Sequence, residues 1–529
     1  MKRLALLFLF SIIVAFPTCS LEQPRIVVED AETPIADTNL PIIEDCGFPD
    51  TMYASAEKVR FVIDTFCLTV PSELNDYENV YDNSNGIFMF RGDPSRNPNF
   101  YGRLHGDSIN IKVDWVFKTE KDTSRTTHGV WYGGTGWTGQ PVYVRWPDSL
   151  LQRFRSSSDS ITEHLHEQEI IVASLCGKLY FIDFQSGLPS RKCVDAKNVL
   201  KGTPSLNPSL NGQLYVGHGV QKQAPFGNMV FDLFSHATIH SFGRDRKAWR
   251  SWNAFDSSPA IMGGFLFRPS ENGTLYKYYV ADGNYTLHST LRYSMSRYNR
   301  SPGIESSMAI CKNYGYLADN DGNVLCVNLN TLKPVWRYWN HDDTDASPLV
   351  DVEDGVPFVY TGCEVDRQGS SGKSYFVKLN GLTGELVWED TIACNRRQLG
   401  EKILDGGMYA SPLLGAFDCE GLIFSNFCVS KEDTLGYLVA FDKRNGRIVY
   451  RTKTKHYCWS SPVAFYNDDN EMFVFTADVG GNVYLIKGKT GEIVASKKVG
   501  HIFESSPIIV DDKIILGSRG NKIYKISLQ

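Results

Sequence analysis

The sequence lacks the signals by which several cysteine-based and charge-based functions are recognised. Its 12 cysteines include no adjacent pair and no CxxC spacing, which argues against zinc ribbons, thioredoxin-like redox centres and attached c-type haem. Lys and Arg number 54 against 60 Asp and Glu, for a net charge of −6. There is no basic stripe, so nucleic acid is excluded as the main partner. A GxSxG elbow is also missing, which leaves Ser-His-Asp hydrolysis without support.

Long runs of Ala, Leu, Glu and Lys at helical spacing are missing as well. Glycine is instead plentiful, with 45 residues, and aromatic residues make up 12% of the chain. This composition is typical of strands and turns. At 529 residues the chain exceeds one ordinary domain, although barrels and propellers reach such a length as a single unit.

The N-terminus has the layout of a secretory signal. Two basic residues precede an apolar run from Leu4 to Phe16, which is too short to span a bilayer. Residues 16–20, FPTCS, resemble a loose lipobox, so Cys19 is a candidate for lipidation, with ordinary signal-peptidase cleavage as the alternative. We therefore predict a signal peptide over 1–19, an acidic tether over 20–48 and an N-terminal extension over 49–88.

A short sequence motif of small residues, here called the small phrase, recurs eight times and defines an internal repeat. Its copies are Gly139-Gln140-Pro141, a weak copy around Thr203-Pro204, Ser257-Ser258-Pro259, Ser306-Ser307-Met308, Ala346-Ser347-Pro348, Ala410-Ser411-Pro412, Ser460-Ser461-Pro462 and Ser505-Ser506-Pro507. After each phrase come apolar strands separated by turns of Gly, Asn and Asp, which close tight hairpins. Asp319-Asn320-Asp321-Gly322-Asn323 is such a turn: for a calcium loop, the sixth and twelfth positions, Val324 and Asn330, are the wrong residues.

Four antiparallel strands per repeat, eight times over, predict an all-β, eight-bladed propeller over residues 89–529. The small phrase fits the innermost strand, where crowding near the axis excludes large side chains. The last copy, from Ser505, supplies only three strands. We predict that the segment 109–117 provides the fourth strand of the last blade and so closes the ring.

The residues of the repeat indicate which family of propellers the chain resembles. The segments GGNVYLIKGKTGEIVASKK (480–498) and SYFVKLNGLTGELVWED (374–390) resemble the PQQ-like (quinoprotein-type) propeller repeat. Residues 89–97, MFRGDPSRN, look like the opening phrase of many secreted members. This resemblance covers residues 89–529 and implies either of two classes. One is the non-catalytic envelope branch, which includes the outer-membrane assembly lipoproteins, and the other is the quinoprotein alcohol and sugar dehydrogenases.

The dehydrogenases of this family hold PQQ over the central channel with a calcium or lanthanide ion, beside an adjacent Cys-Cys disulfide. Because this sequence has no adjacent cysteine pair, we predict no cofactor and no metal, with PQQ and calcium expected only under the dehydrogenase alternative.

The candidate binding site precedes the small phrase. The residue just before each phrase, here called the lead residue, should ring one mouth of the channel, where a cation, a sugar or a loop of a partner could bind. A set of histidines lies a few positions further back. The candidate residues are Asp256, Glu305, Asp345, Tyr409, Trp459 and Glu504, with His341, His456 and His501. The alternative is that these acids only solvate loops and bond to backbone N–H groups.

The sequence thus predicts a monomeric, exported propeller, periplasmic or at the cell surface, held to the outer membrane by a lipid anchor. We expect it to bind or scaffold an envelope protein or a glycan.

Overall fold

The computed structural model describes residues 51–54, 57–71, 73–74, 81, 85–106, 109–157, 160–295, 302–399, 402–429 and 435–528. The predicted signal peptide with Cys19 and the predicted tether lie outside the described residues. Within the described part of the chain, no helix is long and apolar enough to cross a membrane.

The predicted eight-bladed propeller is confirmed, because the described strands form eight blade sheets that follow one another along the chain, besides two two-stranded ladders. Blade one contains Gly86–Ile87, Val142–Arg145, Gln168–Ala173, Lys178–Asp183 and Pro189–Asp195, and blade two contains Ser205–Leu206, Gln213–Gly217, Asn228–Asp232 and Thr238–Phe242. Blade three contains Ala260–Met262, Phe265–Pro269, Thr274–Ala281 and Asn284–Met295, and its outer edge is extended by the hairpin Glu57–Thr65 and Thr51–Ala54. Blade four contains Ala309–Cys311, Tyr314–Ala318, Asn323–Asn328 and Pro334–Trp339.

The second half of the ring repeats this pattern. Blade five contains Leu349–Glu353, Val356–Gly362, Ser371–Asn380 and Leu386–Asn395, and blade six contains Leu413–Leu414, Leu422–Phe427, Tyr437–Asp442 and Ile448–Lys453. Blade seven contains Val463–Tyr466, Met472–Ala477, Asn482–Lys487 and Ile493–Lys498, with Gly102–Arg103 added in parallel to its first strand. Blade eight contains Ile508–Val510, Lys513–Ser518, Lys522–Leu528 and Ile111–Lys118.

Short elements decorate the blades. A helix, Asp148–Ser157, lies between the strands Val142–Arg145 and Gln168–Ala173 of blade one, and its Leu151 and Phe154 are buried. Two small ladders, Glu364–Val365 with Gly406–Gly407 and Arg397–Leu399 with Lys402–Leu404, connect blades five and six, and Phe417–Cys419 forms a 3-10 turn. The Asp319–Asn323 segment is the predicted hairpin turn of blade four, with Gly322 at φ +79°.

Ring closure occurs where the sequence predicted it. The strand Ile111–Lys118 pairs antiparallel with Lys522–Leu528, from Lys118 opposite Lys522 to Ile111 opposite Leu528. It begins and ends slightly later than the predicted 109–117. Blade eight therefore joins an early strand to the last three, which removes the open edges that a linear array would leave.

The small-residue phrase also carries a hydrogen-bond ring around the axis, in addition to relieving crowding. The backbone N–H of Ser258 donates to the Ser307 hydroxyl at 2.8 Å, and the N–H of Ser307 donates to Ser347 at 2.8 Å. Equivalent bonds run from Ser411 to Ser461 and from Ser461 to Ser506. A hydroxyl at this position therefore satisfies a buried amide of the preceding blade.

Residues 88–96, here called the axial segment, fill the channel inside this ring. The Arg91 guanidinium donates to the carbonyls of Pro462 and Pro412, in blades seven and six, at 2.9 and 3.0 Å. Arg96 donates to the carbonyl of Met308 at 2.8 Å, and both arginines are fully buried. Because an unpaired buried guanidinium is costly, these carbonyl contacts fix the segment among several blades.

Neighbouring blades are also tied at their outer strands. The indole N–H of Trp336 donates to the Gly381 carbonyl of the next blade at 2.8 Å, and Trp388 does the same to Lys443 at 2.9 Å. The ring of Trp336 covers Gly384, where an added Cβ would lie 2.6 Å from the indole and where φ is +76°. The turn at Thr383-Gly384 thus requires glycine both for its backbone conformation and for the approach of the Trp336 ring.

We expect Gly384→Ala to lower the free energy of unfolding by about 1–3 kcal/mol, because the substitution strains a left-handed backbone and collides with Trp336. The midpoint of chemical denaturation measures this loss. Gly421→Ala is the matched control, since an added Cβ there meets nothing within 4 Å. Equal midpoints for the two variants would contradict the proposed role of the turn.

Deleting residues 519–529 should abolish cooperative folding. The deletion removes the strand Lys522–Leu528 and leaves Ile111–Lys118 and Lys513–Ser518 without their shared partner. Circular dichroism during heating tests this, with a chain lacking residues 1–48 as the control truncation. A shortened chain that unfolds at the normal temperature would show that ring closure is dispensable.

Candidate functional site

Five of the predicted site residues meet at one mouth of the channel. Asp256, Glu305, Asp345, Tyr409 and Trp459 line a cavity of about 20 Å³, together with Trp137 and Phe90. Phe90 belongs to the axial segment, which therefore forms the floor. A volume of this size holds roughly one or two water molecules. We call this cavity and its surrounding carboxylates the acidic mouth.

The other four predicted residues do not line this cavity. Glu504 is buried and pairs with Arg519 at 3.2 Å. His341 stacks on Tyr375 at 3.8 Å and contacts Glu389 at 3.2 Å. His456 lies against Gly480, and His501 is exposed. Counting back three or four positions from the lead residue thus leads out of the cavity.

The sequence analysis did not identify several residues of the mouth. Two of them could have been found by comparing the eight copies of the small phrase. The weak first and second phrases have Thr138 and Lys201 as their lead residues, and Thr138 lines the cavity while Lys201 pairs with its acids. Glu271 and Glu364, by contrast, follow second strands of blades three and five. No feature of the repeat points to them.

One half of the acidic mouth carries its own cation. The Lys201 ammonium pairs with Asp256, lies 3.9 Å from Glu305 and sits 4.2 Å from the centre of the Trp137 ring. The Trp137 indole donates to Glu305 at 3.2 Å. Burial alone would lower the pKa of Lys201, but Asp256 and Glu305 raise it above its ordinary value. The two acids thus favour the charged form of Lys201.

The other half of the mouth has acids without a cation. Carboxylate oxygens of Asp343, Asp345 and Glu364 lie within 4.8 Å of one another. Among the described residues, none of the three forms an ion pair, and one oxygen of each is buried without a hydrogen-bond partner. Nearby Arg367 pairs instead with Asp321. The backbone holds the set together, since the N–H of Glu364 donates to the Asp343 carbonyl at 2.7 Å.

The environment of these three acids favours their protonated forms. Burial raises the pKa of Glu364, and the charges of Asp345 and Asp343 raise it further. Burial also raises the pKa of Asp343 and of Asp345 well above the ordinary range. Carboxylates packed this closely require either a shared proton or a cation. The aromatic wall beside them is formed by Tyr409 and Trp459, stacked at 4.5 Å.

The residues of the mouth do not fit a quinone cofactor. PQQ carries three carboxylates, whereas the mouth presents Asp256, Glu305, Asp345 and Glu364 against one lysine. Such an anion would be repelled at close range in a poorly hydrated site. The carboxylate oxygens suit a small cation instead.

Comparison with known proteins relates the chain to propellers of both functional classes. A family model described as "Outer membrane protein assembly factor BamB" matches residues 235–403. The human beta-alanine-activating enzyme is 29% identical over 86 residues, which is 16% of this chain and only 8% of that protein.

Two solved structures share the fold. A europium-containing methanol dehydrogenase has a TM-score of 0.55 at 12% identity, covering 85% of this chain and 99% of the other. The quinohemoprotein alcohol dehydrogenase from Comamonas testosteroni has a TM-score of 0.56 at 12% identity, covering 84% of this chain and 80% of the other. The chain thus carries the PQQ-like propeller repeat, and at this identity the likeness concerns the fold alone.

The acidic mouth should make stability depend on pH. A carboxyl whose pKa is raised in the folded state holds its proton more tightly than in the unfolded chain, so stability is greatest below its ordinary pKa and falls as the pH rises. We expect Glu364→Gln to melt at a higher temperature than the parent at pH 8, by the equivalent of about 1 kcal/mol or more. The difference should shrink towards pH 5.

Melting temperatures at both pH values test this expectation, with Glu492→Gln, at an exposed position, as the control. A Glu364→Gln variant that is less stable than the parent at pH 8 would show that the ionised carboxylate is favourable where it stands.

Proposed function

Since the chain is a propeller of PQQ-like repeats, we propose that it is an exported binding protein that scaffolds an envelope partner through its acidic mouth. The observation that carries this proposal is the mouth itself. Its floor is closed by Phe90, its free volume is about 20 Å³ and its walls are carboxylates and aromatic rings. This arrangement suits the tip of a partner's side chain better than a cofactor or a sugar ring.

The partial family match supports the same class. Residues 235–403, which resemble the outer-membrane assembly factor, include the acidic lead residues Asp256, Glu305 and Asp345. The scaffold is proposed to reach its partner from a membrane tether, through lipidation of Cys19 after export. An envelope protein is favoured over a glycan, because a sugar offers no positive charge to this acidic surface.

Affinity capture from the outer-membrane fraction of the source cell tests the proposal. A specific envelope protein should co-purify with the full chain, and Tyr409→Ala or Trp459→Ala should reduce its capture about tenfold or more, since buried aromatic residues dominate interface energetics. Trp339→Ala, at a position that is 37% exposed and outside the mouth, is the matched control.

The dehydrogenase alternative is tested on the same preparation. Incubation with PQQ and calcium should give no quinone absorbance on the protein after gel filtration and no dye-linked oxidation of alcohols or sugars. Retained quinone together with dye reduction would overturn the scaffold function.

A further inference from the structure

The Lys201 half of the acidic mouth serves as a template for what its other half could bind. In the first half, one ammonium group pairs with Asp256, lies 3.9 Å from Glu305 and packs on an indole ring. Lys201 is only 8% exposed. The ammonium group is thus held by opposite charge and by cation–π attraction, in a site from which water is largely removed.

The second half repeats these components without the ammonium group. Asp345 is the lead residue of the next blade after Glu305, and Glu364 lies behind it with 3% of its surface exposed and its Oε1 atom unpartnered. Tyr409 and Trp459, lead residues of the following blades, supply the aromatic wall. The propeller repeat therefore places similar groups around one cavity, and among the described residues only the carboxylates of the first half form ion pairs.

The cavity beside Asp345 is small, with room for one or two water molecules. The compact ammonium group of a lysine suits such a site better than the planar guanidinium of an arginine, which has five donors to satisfy. A lysine side chain also carries an apolar stem that can lie along the Tyr409 and Trp459 rings.

From these observations we infer that Asp343, Asp345, Glu364, Tyr409 and Trp459 form a binding site for a primary ammonium group, the tip of a lysine side chain on the partner protein. This inference rests on the proposed function, and it specifies the chemistry by which the partner is recognised.

Titration of the full chain with n-butylammonium chloride at constant ionic strength tests the site, with tryptophan fluorescence as the readout. Binding should saturate in the parent and weaken about tenfold or more in Glu364→Gln and Asp345→Asn, because each variant removes one charge-assisted hydrogen bond. Glu492→Gln should bind as the parent does, and n-butanol, which lacks the charge, should not saturate. Absence of saturation, or equal affinity in Glu364→Gln and the parent, would overturn the inference.

A second variant tests the template directly. Lys201→Ala removes the resident ammonium group, so n-butylammonium should raise the melting temperature of this variant by more than it raises that of the parent. No such rescue would contradict the use of the Lys201 half as a template for the inferred site. Saturation by calcium chloride that n-butylammonium fails to reverse would also overturn the inference, because the carboxylates would then form a metal site.

The two proposals fail in different ways. If the captured partner binds Glu364→Gln and Asp345→Asn as well as the parent, but is lost in Tyr409→Ala, the ammonium site is wrong and the scaffold function stands. If n-butylammonium saturates the mouth but no envelope protein is captured, the scaffold function fails and the ammonium chemistry is supported.

Discussion

The structure depends on hydrogen bonds between buried polar groups along a crowded central axis. Eight first strands converge there, and their backbone N–H and carbonyl groups cannot reach water. Hydroxyls of one blade accept amide hydrogens of the preceding blade, as between Ser258 and Ser307, while Arg91 and Arg96 cap carbonyls of the inner strands. Only small side chains leave room for this network, which explains why the phrase recurs with so little variation.

The same constraint determines where chemistry can occur. Because the axial segment fills the channel, it leaves only a shallow mouth, and the residue before each small phrase is the first that can project into it. Four of these lead residues are acidic: Asp256, Glu305, Asp345 and Glu504. Glu504 pairs with Arg519, and Lys201 pairs with Asp256 and lies near Glu305. On the Asp345 side the described acids form no ion pair, and in a site of low hydration their ionisation is costly.

The acidic character of the mouth is the basis of our proposal that the chain binds a partner and not a quinone. A quinone site must attract a multiply charged anion and hold a flat ring system, whereas this mouth is lined by carboxylates and by Phe90. A propeller supports both functions because the blades only position the lead residues. The identity of those residues, rather than the sheet beneath them, decides what is bound.

The repeat in the sequence predicts much of the architecture. The spacing of the small phrase indicated eight blades, and the incomplete last copy indicated that an earlier strand closes the ring, which the pairing of Lys522 with Lys118 confirms. The bond from the Trp336 indole to the Gly381 carbonyl of the next blade could not be predicted, since no sequence pattern states which carbonyl an indole will meet.

The sequence by itself determined the blade count, the order of the strands and the positions of the lead residues, because these follow from local periodicity and turn chemistry. Only the tertiary structure decided which lead residues share a cavity, that the axial segment closes its floor, and that Lys201 pairs with Asp256 in one half of the mouth. It also brought Glu271 and Glu364 to the mouth and directed the three histidines away from it. The physical reason is that charge pairing and desolvation depend on distances between blades, and residues far apart in the chain set those distances.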